Sequence, residues 1–468
     1  MLIILVLISS MTAYFMNTYN VIINDGMIRN MMQTDVNETV DLLSLKQGIY
    51  FIVLGLIPAY IIYKIPVKYT PCKKEFINKL KQVMILLAIT ALTVFMFYKP
   101  YASFFREHKP LRYATNPLYW VYSLGDYANA TFTSGDVVVK PIGTDAKVIR
   151  KEDNKRKIVI LVVGEATRAD HFSLNGYKRE TTPKLQKEDI INFTNVYSCG
   201  TSTAHSVPCM FSVYSRSNYS YKKGLQTENI LDVLKHTNEI SILWRDNNSN
   251  SKGVALRVDF KYYKNTFYNT KCLEGECRDE GMIVGLDSYI ETQKNKDILI
   301  VLHQMGNHGP EYYKRYLKSF EKFTPVCKTN QLEECTQEEI RNAYDNAILY
   351  TDDFLVKAIT LLKKYDTTHH TAMIYMSDHG ESLGENGIYL HGLPYFMAPD
   401  AQKHIPAFIW ANETLKKQLN LTNIDKNKKW SHDYLFHSLL GLFNVQTEVY
   451  NANLDIFNTH TKSSQVTD

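Results

Sequence analysis

The chain has 468 residues, which leaves room for two or three domains. Its net charge of +5 at pH 7 is too small to indicate nucleic acid as a partner. Basic and acidic residues are unevenly distributed along it, and their distribution indicates how the chain is organised.

Three apolar stretches cluster at the amino end, at Met1–Phe15, Ile49–Tyr63 and Val83–Tyr98. Each is shorter than the ~20 residues that a spanning helix prefers, although flanking Tyr and Lys side chains reach the interfaces. Buried core helices are the alternative interpretation. The first stretch has no basic segment before it, so it is a poor signal peptide and is expected to stay attached.

The loops between these stretches differ in charge as membrane topology requires. The loop Lys64–Lys81 carries six lysines and one acidic residue, Glu75, which indicates a cytoplasmic loop. The loop Asn17–Lys46 carries four acidic residues and is expected to face outward. Everything after the third stretch then lies outside as well, so we expect a multi-pass membrane protein with a large part outside the cytosol.

The seven cysteines agree with this topology. Six lie beyond the third stretch in close pairs, and the seventh, Cys72, falls in the lysine-rich loop; the pairs are Cys199 with Cys209, Cys272 with Cys277, and Cys327 with Cys335. Disulfides persist in the periplasm and not in the cytosol. A metal knot is the alternative, but the spacings are not C-x-x-C. We therefore expect three disulfides and one free thiol.

Composition predicts four regions. Residues 1–98 form a transmembrane helical domain, and 99–153 form a connector and linker. The connector, rich in aromatic and basic residues, is expected to lie along the outer membrane face, and the linker runs from Asp126 to Asp153. Residues 154–457 form the soluble domain, and 458–468 are a polar tail.

Short β-branched runs alternate with helical patterns from Arg150 onward. The runs are Ile158–Val163, Ile240–Trp244, Ile298–Leu302, Ala372–Met376 and Ile405–Trp410, and a helix is expected over Glu338–Tyr365. This alternation predicts an α/β fold with a mostly parallel sheet that is covered by helices on both faces.

Metal-competent residues follow the predicted strands. Glu165 follows the first run and Asp378-His379 the fourth, and ligands gather beyond the carboxyl ends of such strands. A lone Asp or His at a strand end is usually a structural group. Because several strand ends carry such residues together, we predict a Zn²⁺ site at Glu165, Asp378 and His379 with Thr203 as the fourth ligand.

Thr203 lies in a hydroxyl-rich segment, CGTSTAHSVPC, just ahead of an apolar run. A hydroxyl at a helix N-terminus can act as a nucleophile, because free backbone N–H groups favour the anion that it must become. A simple helix cap is the alternative. The strand-end residues favour the nucleophile.

Five ordered segments resemble the phosphoethanolamine transferases that modify lipid A, the family that includes the mobile colistin resistance enzymes and belongs to the alkaline phosphatase superfamily. They read GEATRADHFSLNGY, CGTSTAHSVPCMFS, WRDNNSNSKG, LHQMGNHGP and SDHGESLGENGIYLHG. The resemblance implies an alkaline-phosphatase-like fold and a Thr203 nucleophile. It implies a multi-pass protein of the bacterial inner membrane in which residues 154–457 are the periplasmic catalytic domain. It also implies that His308 and His391 bind a second zinc or assist as acid and base.

The resemblance places substrate-binding residues in two further segments. In the first outer loop they are Asn30, Thr34 and Glu38, whose spacing puts them on one face if the segment is helical. After the second strand they are Ser249 and Lys252. Family members have about five spanning helices and only three can be identified here, so a truncated amino end is expected.

The expected function is zinc-dependent transfer of phosphoethanolamine from phosphatidylethanolamine to a lipid A phosphate through a threonine-bound intermediate. Lowered surface negative charge would then weaken binding of polymyxin and other cationic peptides. The expected partners are the two lipids and the membrane, without nucleic acid, and the chain is expected to be a monomer.

Three alternatives remain at this stage. A sulfatase needs a formylglycine precursor followed by Pro and Arg, and Met210 stands where the Arg is required. A related phosphotransferase would use another acceptor, such as a core sugar, a glycerol-phosphate polymer or a protein. A non-catalytic membrane-anchored binding protein is disfavoured because all the candidate catalytic residues are retained.

Overall fold

A computed structural model describes residues 1–34, 39, 42–66, 71–98, 101, 109–132, 138–150, 155–273, 275–293 and 295–458. The chain divides into two compact units. The first contains residues 1–18, 22–24 and 44–125, and the second contains 19–21, 25–43 and 126–468. Much of the first outer loop therefore belongs to the same unit as the catalytic domain, whereas the sequence grouped it with the membrane part.

The first unit is helical. Its helices are α1 (Leu2–Tyr19), α3 (Leu45–Lys64, with a π-helical turn at Phe51–Leu56), α4 (Cys72–Met96) and α5 (Leu118–Phe132), with a 3-10 helix at Lys109–Ala114. By length and composition, Leu2–Tyr19, Leu45–Lys64 and Lys73–Met96 can each cross a membrane. A Cβ atom on Gly55 would lie 2.7 Å from the Ser10 Oγ, so only glycine allows this close approach of α3 to α1.

These helices are longer than the apolar stretches that predicted them. α4 begins at Cys72, eleven residues before the apolar stretch, because Lys, Glu and Leu are good helix formers even where the sequence is too polar for a membrane. α5 continues to Phe132, into the segment that the sequence analysis interpreted as linker.

An eight-stranded sheet lies at the centre of the second unit. Its strands are β1 (Lys157–Gly164), β2 (Ile190–Tyr197), β3 (Ile240–Asp246), β4 (Asp259–Tyr262), β5 (Asp297–His303), β6 (His370–Ser377), β7 (His404–Ala411) and β8 (Trp430–Ser431), in the order β8-β2-β7-β6-β1-β5-β3-β4. Only β7 runs antiparallel to its neighbours. The carboxyl ends of the other seven strands therefore meet at one edge of the sheet.

Both faces of the sheet are buried. Along β1, residues 159, 161 and 163 pack into one hydrophobic cluster and residues 158, 160 and 162 into the other. The covering helices of this unit are α6 (Thr203–Met210), α7 (Tyr221–Leu225), α8 (Ile230–His236), α9 (Leu286–Thr292), α10 (Gln337–Lys363), α11 (Glu413–Gln418) and α12 (Leu435–Leu442). A helix from the first outer loop, α2 (Asp25–Gln33), also belongs to this unit.

Disulfides join Cys199 to Cys209, Cys272 to Cys277 and Cys327 to Cys335. The second closes a small hairpin in which Cys272–Leu273 pairs with Glu276–Cys277. Two more two-stranded pairs join Lys147–Val148 to Val445–Gln446 and Ser382–Leu383 to Tyr389–Leu390. The backbone of Cys72 lies at the start of α4.

Candidate metal centre and active site

The register between β1 and β6 brings two predicted ligand segments side by side. The strands are parallel, and Gly164 pairs with Ser377 at their carboxyl ends. The next residues are Glu165 and Asp378, so both carboxylates leave the sheet at the same level. Thr203 is the first residue of α6, which lies at the same edge.

The side chains of Glu165, Thr203, Asp378 and His379 form one buried cluster. The Thr203 Oγ1 lies 3.1 Å from the Glu165 Oε2 and 3.3 Å from the His379 Nε2. The His379 Nε2 lies 3.4 Å from the Glu165 Oε1 and 3.5 Å from the Asp378 Oδ2. The ligand atoms of the two carboxylates and His379 all lie within 4.8 Å of one another.

The free atoms of this cluster fit a metal ion. The Glu165 Oε1 and Asp378 Oδ2 are buried without a hydrogen-bond partner, which is costly for carboxylate oxygens. The His379 Nδ1 lies 2.8 Å from the Gly380 carbonyl oxygen, so Nδ1–H donates and the Nε2 lone pair faces the carboxylates. Two carboxylates, an imidazole and a hydroxyl match the oxygen and nitrogen ligands of a four-coordinate Zn²⁺.

Burial shifts the titration of these ligands. Burial, together with the charge on Asp378, raises the pKa of Glu165 to about 7. Burial raises the pKa of Asp378 to about 6, and burial with the nearby His391 charge lowers the pKa of His379 to about 4. The raised carboxylate pKa values oppose negative charges that a bound cation would favour, and the lowered pKa of His379 keeps its imidazole neutral, as a metal ligand must be, so the site is suited to a cation.

The nucleophile segment is held at both ends. Ser202 precedes α6 in an extended conformation, so the hydroxyl of Thr203 lies at the positive end of the helix. The Cys199–Cys209 disulfide spans the segment. The Thr201 hydroxyl donates to the Leu393 carbonyl oxygen at 2.6 Å, which ties this segment to the chain beside His391.

His308 and His391 lie together next to the cluster. Their ring centroids are 5.8 Å apart, and the rings of His379 and His391 are 4.3 Å apart. Burial alone would lower the pKa of His391, but the Glu381 carboxylate, 2.7 Å from the His391 Nδ1, raises it to about 9. Burial and the His391 charge hold the pKa of His308 well below its ordinary value. The pair therefore contains one protonated and one neutral imidazole near pH 7.

Ser249 and Lys252, the substrate-binding residues predicted after β3, contact each other. The Lys252 Nζ donates to the Ser249 Oγ at 2.6 Å and to the Gln33 carbonyl oxygen at 3.3 Å. Gln33 ends helix α2, so a cation lies at the carboxyl end of that helix, where the dipole favours it. Both Ser249 and Lys252 are buried.

The outer-loop residues are arranged differently from the expectation of one helical face. α2 contains Asn30 and ends at Gln33, so Thr34 follows the helix, and its hydroxyl donates to the Asn30 carbonyl oxygen at 2.7 Å. Thr34 satisfies a carbonyl of the last turn instead of extending the helix. Glu38 lies outside the described residues.

Sequence reasoning missed Asn248, although it lies in the WRDNNSNSKG segment directly after β3. Its side-chain amide donates to the Glu165 Oε2 and to the Gln304 carbonyl oxygen, both at 2.8 Å. Its Oδ1 accepts the backbone N–H of Ser249 at 2.6 Å. Asn248 therefore connects a metal-ligand candidate to the predicted substrate-binding residues.

Asp279 was also missed, because it follows no strand of the central sheet. This buried carboxylate accepts hydrogen bonds from the backbone N–H groups of Met305 and Gly306, at 2.8 and 3.1 Å, within the loop that carries His308. Gly306 has φ +48°, and a Cβ there would lie 2.9 Å from the Glu165 carbonyl oxygen. Asp279 thus holds the His308 loop against Glu165, and no sequence pattern points to it.

Three residues beside the site that are neither Gly nor Asn have a left-handed backbone. They are Ala166 (φ 52°), Lys252 (φ 50°) and Leu390 (φ 62°). Each is a site residue or the neighbour of one, since Ala166 follows Glu165 and Leu390 precedes His391. Such strain costs of order 1–3 kcal/mol per residue and concentrates where side chains must be aimed for function.

Comparisons with known proteins show the family to which the chain belongs. Residues 157–445 match the sulfatase family model, and residues 1–132 match the model for phosphoethanolamine transferases EptA and EptB. The chain is 44% identical to the phosphatidylethanolamine transferase Mcr-1 of Escherichia coli, over 96% of this chain and 84% of that protein.

Solved structures give the same result for the fold. The integral membrane lipooligosaccharide phosphoethanolamine transferase EptA of Neisseria meningitidis aligns with a TM-score of 0.90 at 34% identity, covering 97% of this chain and 86% of that one. The periplasmic domain of EptC from Escherichia coli in complex with Zn shares the fold at 22% identity and a TM-score of 0.56, covering 70% of this chain and 92% of that one. The predicted family and fold class are confirmed.

Proposed function

Because this chain belongs to the phosphoethanolamine transferases, enzymes of the alkaline phosphatase and sulfatase superfamily, we propose that it moves phosphoethanolamine from phosphatidylethanolamine to a phosphate of lipid A. It is an inner-membrane protein with its catalytic domain in the periplasm. The observation that carries the proposal is the Thr203 hydroxyl at a helix N-terminus, within 3.3 Å of a carboxylate and an imidazole that are arranged as metal ligands.

Glu165, Asp378, His379 and the Thr203 Oγ would hold a zinc ion. When bound, zinc supplies positive charge that lowers the pKa of the Thr203 hydroxyl. Once its proton has been released to solvent, the Thr203 Oγ attacks phosphorus in phosphatidylethanolamine, the Oγ–P bond forms, and the bond from phosphorus to the diacylglycerol oxygen breaks. Asn248 keeps Glu165 oriented during this step through its 2.8 Å hydrogen bond.

His391 and His308 provide for proton transfer. The leaving diacylglycerol oxygen needs a proton, and His391, whose pKa the Glu381 carboxylate raises, is protonated and can donate it. In the second half-reaction a lipid A phosphate oxygen attacks the same phosphorus, and Thr203 leaves. His308 is neutral and can accept a proton from that nucleophile when it arrives protonated. A second zinc at this pair, as the family resemblance implies, would be the alternative use of the same residues.

The predicted substrate-binding residues fit the two charges of phosphoethanolamine. Lys252 is a buried cation that can pair with the phosphate, and Ser249 can donate to it. Asn30, Thr34 and Glu38 are proposed to bind the ammonium group. The product carries an added ammonium on lipid A, which lowers the negative charge of the surface and weakens binding of polymyxin.

A trapping experiment tests the covalent step. The purified full chain in detergent is mixed with phosphatidylethanolamine without lipid A and analysed by peptide mass spectrometry. A phosphoethanolamine ester on Thr203 is expected. It should be absent from Thr203→Ala and present in the matched control Ser202→Ala, since Ser202 is buried beside Thr203 but makes no side-chain cap bond. An ester on another residue, or transfer by Thr203→Ala at the wild-type rate, would contradict the proposal.

A further inference from the structure

An unusual surface lies at the β4 edge of the second unit. Phe267 is 81% exposed, more than Phe95, the most exposed aromatic of the three spanning helices at 78%. Tyr268 and Leu273 are 42% and 55% exposed in the same segment. Soluble surfaces rarely collect large apolar side chains in this way, so a contact surface is indicated.

The loop holds Phe267 outward. The backbone N–H of Phe267 donates to the Asn265 Oδ1 at 3.1 Å, and the backbone N–H of Asn269 donates to the Asn265 carbonyl oxygen at 3.2 Å. Asn269 is 1% exposed, and its amide donates to the Arg278 carbonyl oxygen at 2.9 Å. Asn269 thus points inward, and the Phe267 ring points outward beside it.

Lysines accompany the exposed rings along the chain, and one of them contacts a ring. Residues 259–273 contain three lysines, one acidic residue and five aromatic residues. The Lys261 Nζ lies 5.9 Å from the centre of the Tyr268 ring, and the rings of Phe267 and Tyr268 are 4.6 Å apart. Aromatic side chains with lysines on their flanks are the composition that favours the interface between water and lipid.

This surface adjoins the active site. Leu273 pairs with Glu276 in the Cys272–Cys277 hairpin, and the Glu276 Oε2 lies 2.7 Å from the Arg315 Nη1. Arg315 in turn donates through Nε to the His308 carbonyl oxygen at 2.9 Å. Two side chains, those of Glu276 and Arg315, therefore connect the hairpin of Leu273 to the loop that carries His308.

We propose that this surface contacts the lipid interface of the membrane in which the chain is anchored, with the ring of Phe267 inserted among the lipid head groups. We call it the Phe267 surface, and it consists of Lys261, Lys264, Phe267, Tyr268, Lys271 and Leu273. Its occupant is lipid, because the chain is anchored in a membrane and because the three lysines of the surface complement anionic phospholipids. The contact would bring a lipid surface beside the site where a lipid substrate reacts.

Fluorescence in proteoliposomes tests the contact without relying on enzyme activity. The full chain carrying Phe267→Trp is reconstituted in vesicles of phosphatidylethanolamine and phosphatidylglycerol, with or without lipids brominated near the head-group end of the acyl chains. The wild-type signal is subtracted. Because interfacial rings lie about 5–10 Å deep, close to bromine atoms near the head groups, the added emission is expected to be quenched in the brominated vesicles.

Asn295→Trp is the matched control. Asn295 is exposed and precedes the amino end of β5, at the edge of the sheet opposite the active site. It should not be quenched. Equal quenching at the two positions, or none at Phe267→Trp, would overturn the proposal. Emission at Phe267→Trp that depends on protein concentration and not on bromine would assign the surface to a second copy of the chain, and would also overturn it.

Discussion

The amide of Asn248 and the hydroxyl of Thr203 share one oxygen of Glu165. Asn248→Ala removes one of the two hydrogen bonds that orient this carboxylate. Loss of such a partner typically lowers metal affinity or activity by about 10–100-fold. We expect that range for the rate of transfer, measured with phosphatidylethanolamine in mixed micelles, and a matching loss of zinc in chelator competition. The control is Asn295→Ala at an exposed position. An unchanged transfer rate and unchanged zinc retention in Asn248→Ala would show that Asn248 is no part of the site.

His432 makes a separate prediction about pH. It is 1% exposed, accepts the Cys199 N–H at Nδ1 and donates from Nε2 to the Ser377 carbonyl oxygen. Burial lowers its pKa from 6.5 to about 4. The unfolded chain therefore binds the extra proton first, and the stability that neutral His432 contributes is lost as pH falls from 6.5 towards 4. The loss amounts to roughly 3 kcal/mol.

The measurement is the unfolding midpoint of the full chain at pH 7 and at pH 5. Wild-type protein should lose more stability on acidification than His432→Gln does, even though the variant is less stable at both values. The difference between the two slopes isolates this residue from carboxylates such as Asp455, whose pKa burial raises to about 6. Parallel slopes would contradict the assignment.

The ligand residues could be predicted because they lie in motifs at strand ends. Asp279 and Asn248 could not be predicted as site residues in this way, because their roles depend on which groups the fold brings next to them. The contact of Glu381 with His391, which keeps His391 protonated, could not be predicted from the sequence either. It depends on a turn that reverses the chain between the two residues.

Helix α6 and its disulfide make a prediction at the scale of the element. Cys199–Cys209 and Cys327–Cys335 close loops of similar length, with separations of 10 and 8 residues. Loop-closure entropy then gives each about 2.5 kcal/mol of stability. Replacing either pair by alanines should lower the unfolding midpoint similarly. Only loss of the first should also lower the turnover rate, because it brackets the nucleophile. Equal loss of turnover in both double variants would argue against that role.

The predicted runs correspond to β1, β3, β5, β6 and β7, and the helix over Glu338–Tyr365 is α10. β2 was missed because Asn and Thr interrupt its apolar residues, and β4 and β8 are short edge strands. The antiparallel direction of β7 could not be seen either, since a buried strand reads the same in both directions. The sequence did not decide whether α2 is a helix, because its polar residues fit a solvated loop equally well.

At the scale of the molecule, α2 is the part of the outer loop that belongs to the catalytic unit. Arg29 is 7% exposed and lies 3.6 Å from the centre of the Tyr221 ring, and Gln33 accepts from Lys252. A shortened chain beginning at Arg150 lacks these contacts but keeps Glu165, Thr203, Asp378 and His379. We expect it to bind zinc and to attack a small soluble phosphoethanolamine ester slowly, yet to leave lipid A unmodified in cells, because positioning of both lipids is lost.

Arg29→Ala in the full chain separates docking of α2 from membrane anchoring. We expect it to raise the KM for phosphatidylethanolamine severalfold, because the removed cation–π contact is worth about 1–2 kcal/mol in a desolvated setting. Zinc content should not change.

The chain beginning at Arg150 has its own contradicting outcome. If it modifies lipid A as fully as the complete chain does, the outer loop is no part of the site.

The most direct measurement of the central claim is mass spectrometry of lipid A from cells that produce the full chain, Thr203→Ala or Ser202→Ala. The account predicts lipid A carrying one added phosphoethanolamine with the full chain and with Ser202→Ala, and unmodified lipid A with Thr203→Ala. Unmodified lipid A in all three at equal protein levels would contradict the proposed acceptor. Modified lipid A with Thr203→Ala would contradict the proposed nucleophile.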